Sequence, residues 1–563
     1  MVTKVFRAMY KEIRGLHEAA YILAAFTFAS QMLALVRDRM LAHYFGASFE
    51  LDLYYTAFRI PDLLFVVFAS VLSVYVLIPF MTDANEKGGA PKAREFLSQM
   101  FTIFLIGYLA LALVVFIFAD DIAHLFFPGF APAQYATLVL LLRILLLQPL
   151  LLAVSNLFGV VTQLENRFVL YALSPILYNV GIIAGIVFFY PHFGVGGLAW
   201  GVVLGAALHL AVQLPLVRQS HMGPRIVTAF DYKLLRSVFR TSIPRALTLS
   251  LHQLVLLAMV GIASVMSVGS VSVFQFALNL QSVPLSVIGV SYSVAAFPAL
   301  VRMLAGGERK EFVNHVATAL RHIFFWSIPI IALVIVTRAQ IVRVILGSGA
   351  FDWHDTRLTA AALSIFIVSL AAQAVNLLIV RAFYAGGDTR TPFFVTVATA
   401  TIALLSGMFF YVLFLSSVPF KLGIEHFLRV DDVQGAEVLM LPLGYTIAML
   451  IHATTLLTIF MKRYELPFSA FGGVLIRGIV AAITGGVMAY AVLNALVFGV
   501  QKNTVIGIIL QGGIAGSVGM AVVIATLYAL GSVELREAGK AVHRRMFVRA
   551  TIIPPQQSDD LAA

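Results

Sequence analysis

Long apolar stretches recur along the whole of this 563-residue chain, and they constrain its fold more than any other feature. A helix needs about 20 mostly apolar residues to cross the roughly 30 Å hydrocarbon core of a bilayer. Fourteen stretches meet this condition: 18–44, 53–82, 95–119, 134–162, 168–190, 194–216, 233–266, 270–300, 312–337, 357–384, 391–415, 438–461, 468–499 and 504–530. We number them spans 1 to 14 and predict an all-α polytopic membrane protein with fourteen transmembrane helices.

The composition excludes most soluble functions. Charged residues make up 12% of the chain and hydrophobic residues 61%, whereas soluble domains carry about 25% charged residues. The chain has no cysteine, which excludes disulfides, thiolate metal sites and cysteine nucleophiles. Its sequence also lacks a phosphate-binding Gly-rich loop and a His-Glu-x-x-His motif. We therefore predict a transporter and not an enzyme, without cofactor or metal, driven by an ion gradient, the membrane potential or a downhill substrate.

The distribution of Lys and Arg orients the spans, because cytoplasmic loops of membrane proteins are enriched in both residues. With the amino terminus in the cytoplasm, the cytoplasmic tails and loops hold 25 of the 38 Lys and Arg residues, and the opposite side holds six. Both termini are therefore predicted to be cytoplasmic. The loops also account for the net charge of +11, so we expect no nucleic-acid partner.

Landmarks of the first six spans recur in the next six at offsets of 219 to 223 residues. Ile78-Pro79-Phe80 closes span 2 as Phe297-Pro298-Ala299 closes span 8. Six helices per repeat place both halves the same way up, as in transporters with parallel repeats around a central cavity. We predict a basic amphipathic cytoplasmic tail (1–17), a first lobe (18–216), a cytoplasmic linker (217–232), a second lobe (233–462), two terminal helices (463–530) and a cytoplasmic tail (531–563).

Charged residues within the spans are the first candidates for a site, because an intramembrane charge is expensive and usually faces a cavity or a partner. Arg37 shares one face of span 1 with small residues, and we expect the adjacent Asp38 to point elsewhere. Span 2 carries Asp52 and Arg59 on one face, and Asp62 follows within pairing distance of Arg59. We favour a functional role for Arg37, Asp52 and Arg59.

Two polar stripes in the second lobe should line the gap between the lobes, since such stripes are costly against lipid. Span 8 carries Gln275, Asn279, Ser282, Ser286 and Gly289, and span 7 carries Ser242, Arg245, Thr248 and His252. Hydrogen bonding within a closed bundle is the alternative. The absence of an acidic residue within one turn of Arg245 favours a wet cavity.

Together these features resemble the MurJ (MviN) family of bacterial lipid II flippases, within the multidrug/oligosaccharidyl-lipid/polysaccharide exporter superfamily. The resemblance covers nearly the whole chain. Its most specific parts are Ser30 through Arg37-Asp38, Phe45-Gly46-Ala47, Asp52, the Ala57–Leu64 run and Phe297-Pro298. It implies a bacterial inner-membrane protein that moves undecaprenyl-pyrophosphate-linked muropeptide (lipid II) from the inner to the outer leaflet. It also implies a cationic central cavity for the cargo and a groove for its lipid tail along the terminal helices.

By position, Arg37 and Asp52 match family residues that are important for transport. Gln31, Phe65 and Asn279 stand where the family commonly has Arg, which removes part of the expected positive field. The predicted substrate-binding and transport residues are Arg37, Asp38, Asp52, Arg59, Arg245, Asn279 and Gln31. The expected partners are lipid II, membrane lipids, and a monovalent ion or the membrane potential.

Three other functions remain open. The chain could move another polyprenyl-linked oligosaccharide, or act as a multidrug antiporter of the same superfamily, although such antiporters usually have twelve helices. A scaffold for wall-synthesis enzymes would not need the buried charges.

Overall fold

The computed structural model describes residues 16–72, 74–496 and 504–547. Within these ranges the secondary structure is helical, with no β-strand, which confirms the all-α membrane fold. The main helices of the first lobe are Leu16–Phe45, Phe49–Ala57, Arg59–Val71, Val74–Ile117, Pro132–Leu145, Leu147–Leu164, Phe168–Ala184 and Val195–Ala211. Those of the second lobe are Tyr232–Ser264, Ser270–Leu285, Ser291–Ala305, Arg309–Ile345, Trp353–Val368, Leu370–Ala385, Arg390–Ser416 and Met440–Tyr464. Ser469–Leu496, Val505–Ala529 and Val533–Phe547 follow.

Twelve helical segments of the described chain are long and apolar enough to cross a membrane. A thirteenth span is present if the helices Trp353–Val368 and Leu370–Ala385, which meet at a bend of 43°, form one crossing. Helix Leu16–Phe45 contains the predicted span 1. The count of fourteen therefore stays a prediction.

Span 2 is broken where its charged residues lie. Only Phe58 separates the helix Phe49–Ala57 from the helix Arg59–Val71. Pro61 explains this break, because it has no amide hydrogen to donate to the Ala57 carbonyl four residues earlier. The segment predicted as a loop between spans 2 and 3 is instead part of the helix Val74–Ile117. This helix is kinked at Gly88 and Gly89, and the φ of Gly89 is 66°.

The buried core has two parts, which show where the lobes join. The first contains residues of both lobes, among them Leu51, Phe274 and Phe351. The second part consists of residues of the second lobe and of the terminal helices, and it includes Phe312 and Val523. Span 7 packs along the first lobe over its length. Helix Ser270–Leu285 of the second lobe packs on helix Phe49–Ala57 of the first lobe, and we call the end of the molecule where these two helices meet the joined end.

Several polar contacts at the opposite end lie within one half of the molecule. Asp388 pairs with Arg463, and the Arg309 guanidinium donates to the Arg463 carbonyl at 2.7 Å. Burial alone would raise the pKa of Asp388, but hydrogen bonds from Thr391 and the charge of Arg463 hold it below its ordinary value. In the first half, Arg94 donates to the Gly223 carbonyl of the linker at 2.8 Å. These contacts do not join the two lobes at this end.

The terminal helices Ser469–Leu496 and Val505–Ala529 pack on each other and on helix Arg309–Ile345. Their closest approach is at two glycines. A Cβ atom on Gly485 would lie 2.8 Å from the Gly519 carbonyl oxygen, and one on Gly519 would lie 2.9 Å from that of Gly485. Small residues permit such close packing of membrane helices.

Candidate functional site

A cavity of about 190 Å³ lies between the two lobes. Most of its lining comes from the first lobe, and the second lobe contributes two residues of span 8. The lining residues are Arg37, Leu41, Tyr54, Tyr55, Phe58, Arg59, Asp62, Gln148, Tyr178, Ile182, Gln275 and Asn279. Four of the seven predicted site residues are therefore in or beside one cavity: Arg37, Arg59 and Asn279 line it, and Asp38 bonds to two of them.

Arg37 and Asp38 form an ion pair. The Arg37 Nε and Nη2 atoms both donate to Asp38 Oδ1, at 2.9 and 2.7 Å. The expectation that Asp38 points away from Arg37 was wrong, because the long Arg side chain folds back along the helix to reach its neighbour. Asp38 is only 3% exposed, so Arg37 supplies the opposite charge that a buried carboxylate needs.

The pair belongs to a hydrogen-bonded network that crosses from one lobe to the other. Asn279 Nδ2 donates to Asp38 Oδ2 at 2.9 Å, and Gln275 Nε2 donates to Asn279 Oδ1 at 2.6 Å. Arg59 donates to Gln275 Oε1. Charges of span 1 and span 2 are thereby connected through two neutral amides of span 8. We call Arg37, Asp38, Arg59, Gln275 and Asn279 the inter-lobe network.

Span 5 extends this network through a residue that the sequence analysis missed. Arg37 Nη1 donates to Asn179 Oδ1 at 3.1 Å, and Asn179 Nδ2 donates to Ser30 Oγ at 3.3 Å. Asn179 is 6% exposed and sits in the apolar helix Phe168–Ala184. An isolated amide in so apolar a helix is the signal that would have identified it.

Asp52 closes the joined end by capping a helix of the other lobe. Its Oδ2 accepts a hydrogen bond from the Gly269 amide at 2.7 Å, and its Oδ1 accepts from the Ser272 amide at 2.7 Å and the Ser272 hydroxyl at 2.6 Å. Gly269 and Ser272 belong to the first turn of helix Ser270–Leu285. A carboxylate is favourable there because the amides of a first turn lack partners within their own helix.

Further contacts between the lobes surround Asp52. The Ala47 amide donates to Asp355 Oδ2 at 2.9 Å, and the Ala350 amide donates to the His43 carbonyl at 2.9 Å. The approach at Gly269 is especially close. Its φ is 89°, and a Cβ atom there would lie 2.4 Å from the Ala47 carbonyl oxygen. The joined end is therefore a continuous seam of backbone and side-chain hydrogen bonds.

The remaining candidates lie outside the network. Gln31 is half-buried on the same helix as Arg37. Arg245 lies in helix Tyr232–Ser264, but its side chain is outside the described residues. Arg59 does not pair with Asp62 as expected, because it turns to Gln275. Within the described ranges, no group of three or more His, Asp and Glu side chains could hold a metal ion.

Comparisons with known proteins agree on one group of transporters. A family model described as "Lipid II flippase MurJ" matches residues 41–504. A lipid II flippase MurJ of Burkholderia cenocepacia is 26% identical over 404 residues, which cover 70% of this chain and 78% of that protein.

Solved structures show the same fold. A lipid II flippase MurJ in an inward closed conformation superposes with a TM-score of 0.70 at 22% identity, covering 91% of this chain and 100% of that one. An inward-facing multidrug resistance MATE transporter of the MOP superfamily superposes with a TM-score of 0.64 at 14% identity, covering 77% and 94%. The family match includes Asp52, Arg59 and Asn279, whereas Arg37 and Asp38 precede its first residue.

Proposed function

Because this chain belongs to the lipid II flippase MurJ family, we propose that it moves lipid II from the inner to the outer leaflet of the bacterial inner membrane by alternating access. The observation that carries this proposal is the family match over residues 41–504. The cavity between two lobes that are joined at one end supports it. A flippase needs to bind a polar headgroup and expose it to each side in turn, and no bond in the cargo has to be broken.

The cavity has two cations that suit the pyrophosphate of this cargo, Arg37 and Arg59. A guanidinium stays charged and binds phosphate oxygens with two parallel donors. Arg59 is 6% exposed, and its buried Nε atom has no hydrogen-bond partner. We infer that the pyrophosphate binds Arg59 and competes with Asp38 for Arg37. The positive charge that binds the pyrophosphate then comes from the first lobe, because the two cavity residues of the second lobe, Gln275 and Asn279, are neutral.

Asp52 would control access to the outer side. With both termini in the cytoplasm, as the loop charges predict, the joined end would face outward and the cavity would open on the cytoplasmic side. Opening outward requires the three hydrogen bonds of Asp52 and the bonds of the inter-lobe network to break. An ion gradient or the membrane potential is our proposed source of this energy.

Two other substrates fit parts of the structure. The neutral Gln31, Phe65 and Asn279, at positions where the resemblance implies Arg, also suit another polyprenyl-linked oligosaccharide. The fold likeness to a MATE transporter makes a multidrug antiporter the second candidate. The terminal helices favour a lipid substrate over a drug, because the family resemblance implies a groove for a lipid tail along them.

Complementation tests the proposal directly. A bacterium depleted of its own lipid II flippase should regain growth when this chain is expressed, and lipid II should become accessible in the outer leaflet. Expression of the protein in the membrane without rescue and without outer-leaflet lipid II would contradict the proposal. Rescue of drug tolerance alone would favour the antiporter.

A further inference from the structure

Arg338 and Arg429 lie close together on the outside of the second lobe, away from the central cavity. Arg338 is two turns before Val344 and Ile345, whose carbonyl oxygens accept hydrogen bonds from Arg39 of the first lobe. Arg338 is therefore near the joined end of the molecule. The charges of Arg338 and Arg429 are close enough to interact.

Three contacts fix the positions of these two guanidinium groups. Arg338 Nη2 donates to the Leu428 carbonyl at 3.2 Å. Arg429 Nη2 donates to the Tyr490 hydroxyl at 2.8 Å, and its guanidinium carbon lies 5.8 Å from the centre of the Tyr490 ring. Tyr490 belongs to the terminal helix Ser469–Leu496. The arginine pair therefore lies where the second lobe contacts the terminal helix Ser469–Leu496, near the joined end.

The backbone of Arg429 is held in an unfavourable conformation. Its φ is 62°, in the left-handed region that residues other than glycine seldom adopt. The Arg357 guanidinium donates to the Arg429 carbonyl at 2.6 Å and holds this turn in place. Arg429 ends helix Val418–Leu428, a position where helices commonly place a left-handed residue, so this turn fixes where the Arg429 side chain begins.

The arginine pair has no acidic counterpart in the described part of the chain. Neither Arg338 nor Arg429 forms an ion pair there, and the nearest acids along the chain have other partners. Asp432 pairs with Arg357, and Asp431 lies 3.3 Å from His426. Two like charges held together at a membrane surface are unfavourable unless an anion joins them. Such an arrangement is typical of sites that bind phosphate.

We propose that Arg338 and Arg429 form a binding site for the phosphate group of a lipid, where the terminal helix Ser469–Leu496 meets the second lobe near the joined end. Tyr490 orients Arg429 and places the site beside the acyl chains. A bilayer phospholipid and the polyprenyl pyrophosphate cargo both present this chemistry. The cargo as the source depends on the proposed function, whereas the phospholipid does not.

Lipid binding to the purified full-length protein tests the site. Phosphatidylglycerol and undecaprenyl pyrophosphate are titrated separately, and bound lipid is counted by native mass spectrometry. The Arg338→Gln/Arg429→Gln variant should bind at least one of the two lipids more weakly than wild type, by about tenfold or more, because the phosphate loses two charged donors. Lys421→Gln, which removes an exposed charge that lies 4.0 Å from Glu425, should bind both lipids like wild type.

A loss confined to undecaprenyl pyrophosphate would assign the site to the cargo, and a loss with phosphatidylglycerol would assign it to bilayer lipid. Wild-type affinity of the double variant for both lipids would overturn the proposal, as would an equal loss in Lys421→Gln. If the double variant does not fold, Arg429→Gln alone gives the same test, because this side chain is exposed. Failure of the site would leave the flippase proposal standing, since complementation tests that function without lipid titration.

Discussion

At the scale of single residues, the Arg37–Asp38 pair allows two roles for Arg37. It could bind the cargo, or it could serve only to neutralise Asp38, which is 3% exposed. Removing Arg37 alone does not separate these roles, because a buried carboxylate without its partner costs about 3–5 kcal/mol. A variant that neutralises both residues keeps the balance of charge and separates them.

We predict that Arg37→Gln/Asp38→Asn accumulates in the membrane like wild type but does not support transport, because the pyrophosphate loses a bidentate cation. Arg37→Gln alone should be less stable than the double variant. Outer-leaflet lipid II and the apparent melting temperature are the measurements. Normal transport by the double variant would show that Arg37 has only a structural role.

Asp52→Asn should weaken the seam at the joined end. An amide in place of the carboxylate loses charge at a helix N-terminus, and such caps contribute about 0.5–2 kcal/mol. We expect several-fold faster labelling of a cysteine at Leu41, a cavity residue that is 1% exposed, by maleimide added from outside. Glu50→Gln, which neutralises the other acid of helix Phe49–Ala57, is the matched control and should label at the parent rate.

Helical position predicted where the charged side chains lie better than it predicted their hydrogen-bond partners. Asp52 and Arg59 were expected on one face, and both contact helix Ser270–Leu285. The pairing of Arg37 with Asp38 was missed because a helical wheel places neighbouring residues about 100° apart and ignores the reach of a flexible side chain. The partners of Asp52 include two backbone amides, which leave no trace in a sequence.

At the scale of helices, the contact between the two terminal helices depends on a single small residue on each side. Gly519→Val should separate them, because even a Cβ atom would lie 2.8 Å from Ala489 Cβ and 2.9 Å from the Gly485 carbonyl oxygen. Overpacking of this kind costs about 1–3 kcal/mol. Gly516→Val, one turn earlier, adds the same atoms where nothing lies within 4 Å.

We expect Gly519→Val to lower the apparent melting temperature in detergent and to impair transport, and Gly516→Val to change neither. Equal effects of the two substitutions would mean that valine disturbs this helix wherever it is placed. The apolar stretches predicted these helices, but the distance between them depends on packing, which hydropathy does not describe.

At the scale of the whole molecule, the proposed mechanism depends on orientation. Because the chain has no cysteine, single cysteines can report the side of each loop. A cysteine at Glu86 should resist an impermeant maleimide in intact cells, and one at Gly423, where a Cβ atom has open space, should react. The reverse pattern would place the joined end on the cytoplasmic side and contradict the proposed direction of opening.

The capping of one lobe by Asp52 has a consequence for how this protein can vary during evolution. Two of the three donors that Asp52 uses are main-chain amides, at Gly269 and Ser272. Every residue except proline provides such an amide. Substitutions at position 272 can therefore accumulate without loss of the main-chain bonds. Selection on this closure falls mainly on the Asp52 carboxylate and on Gly269, where a Cβ atom would lie 2.4 Å from the Ala47 carbonyl oxygen.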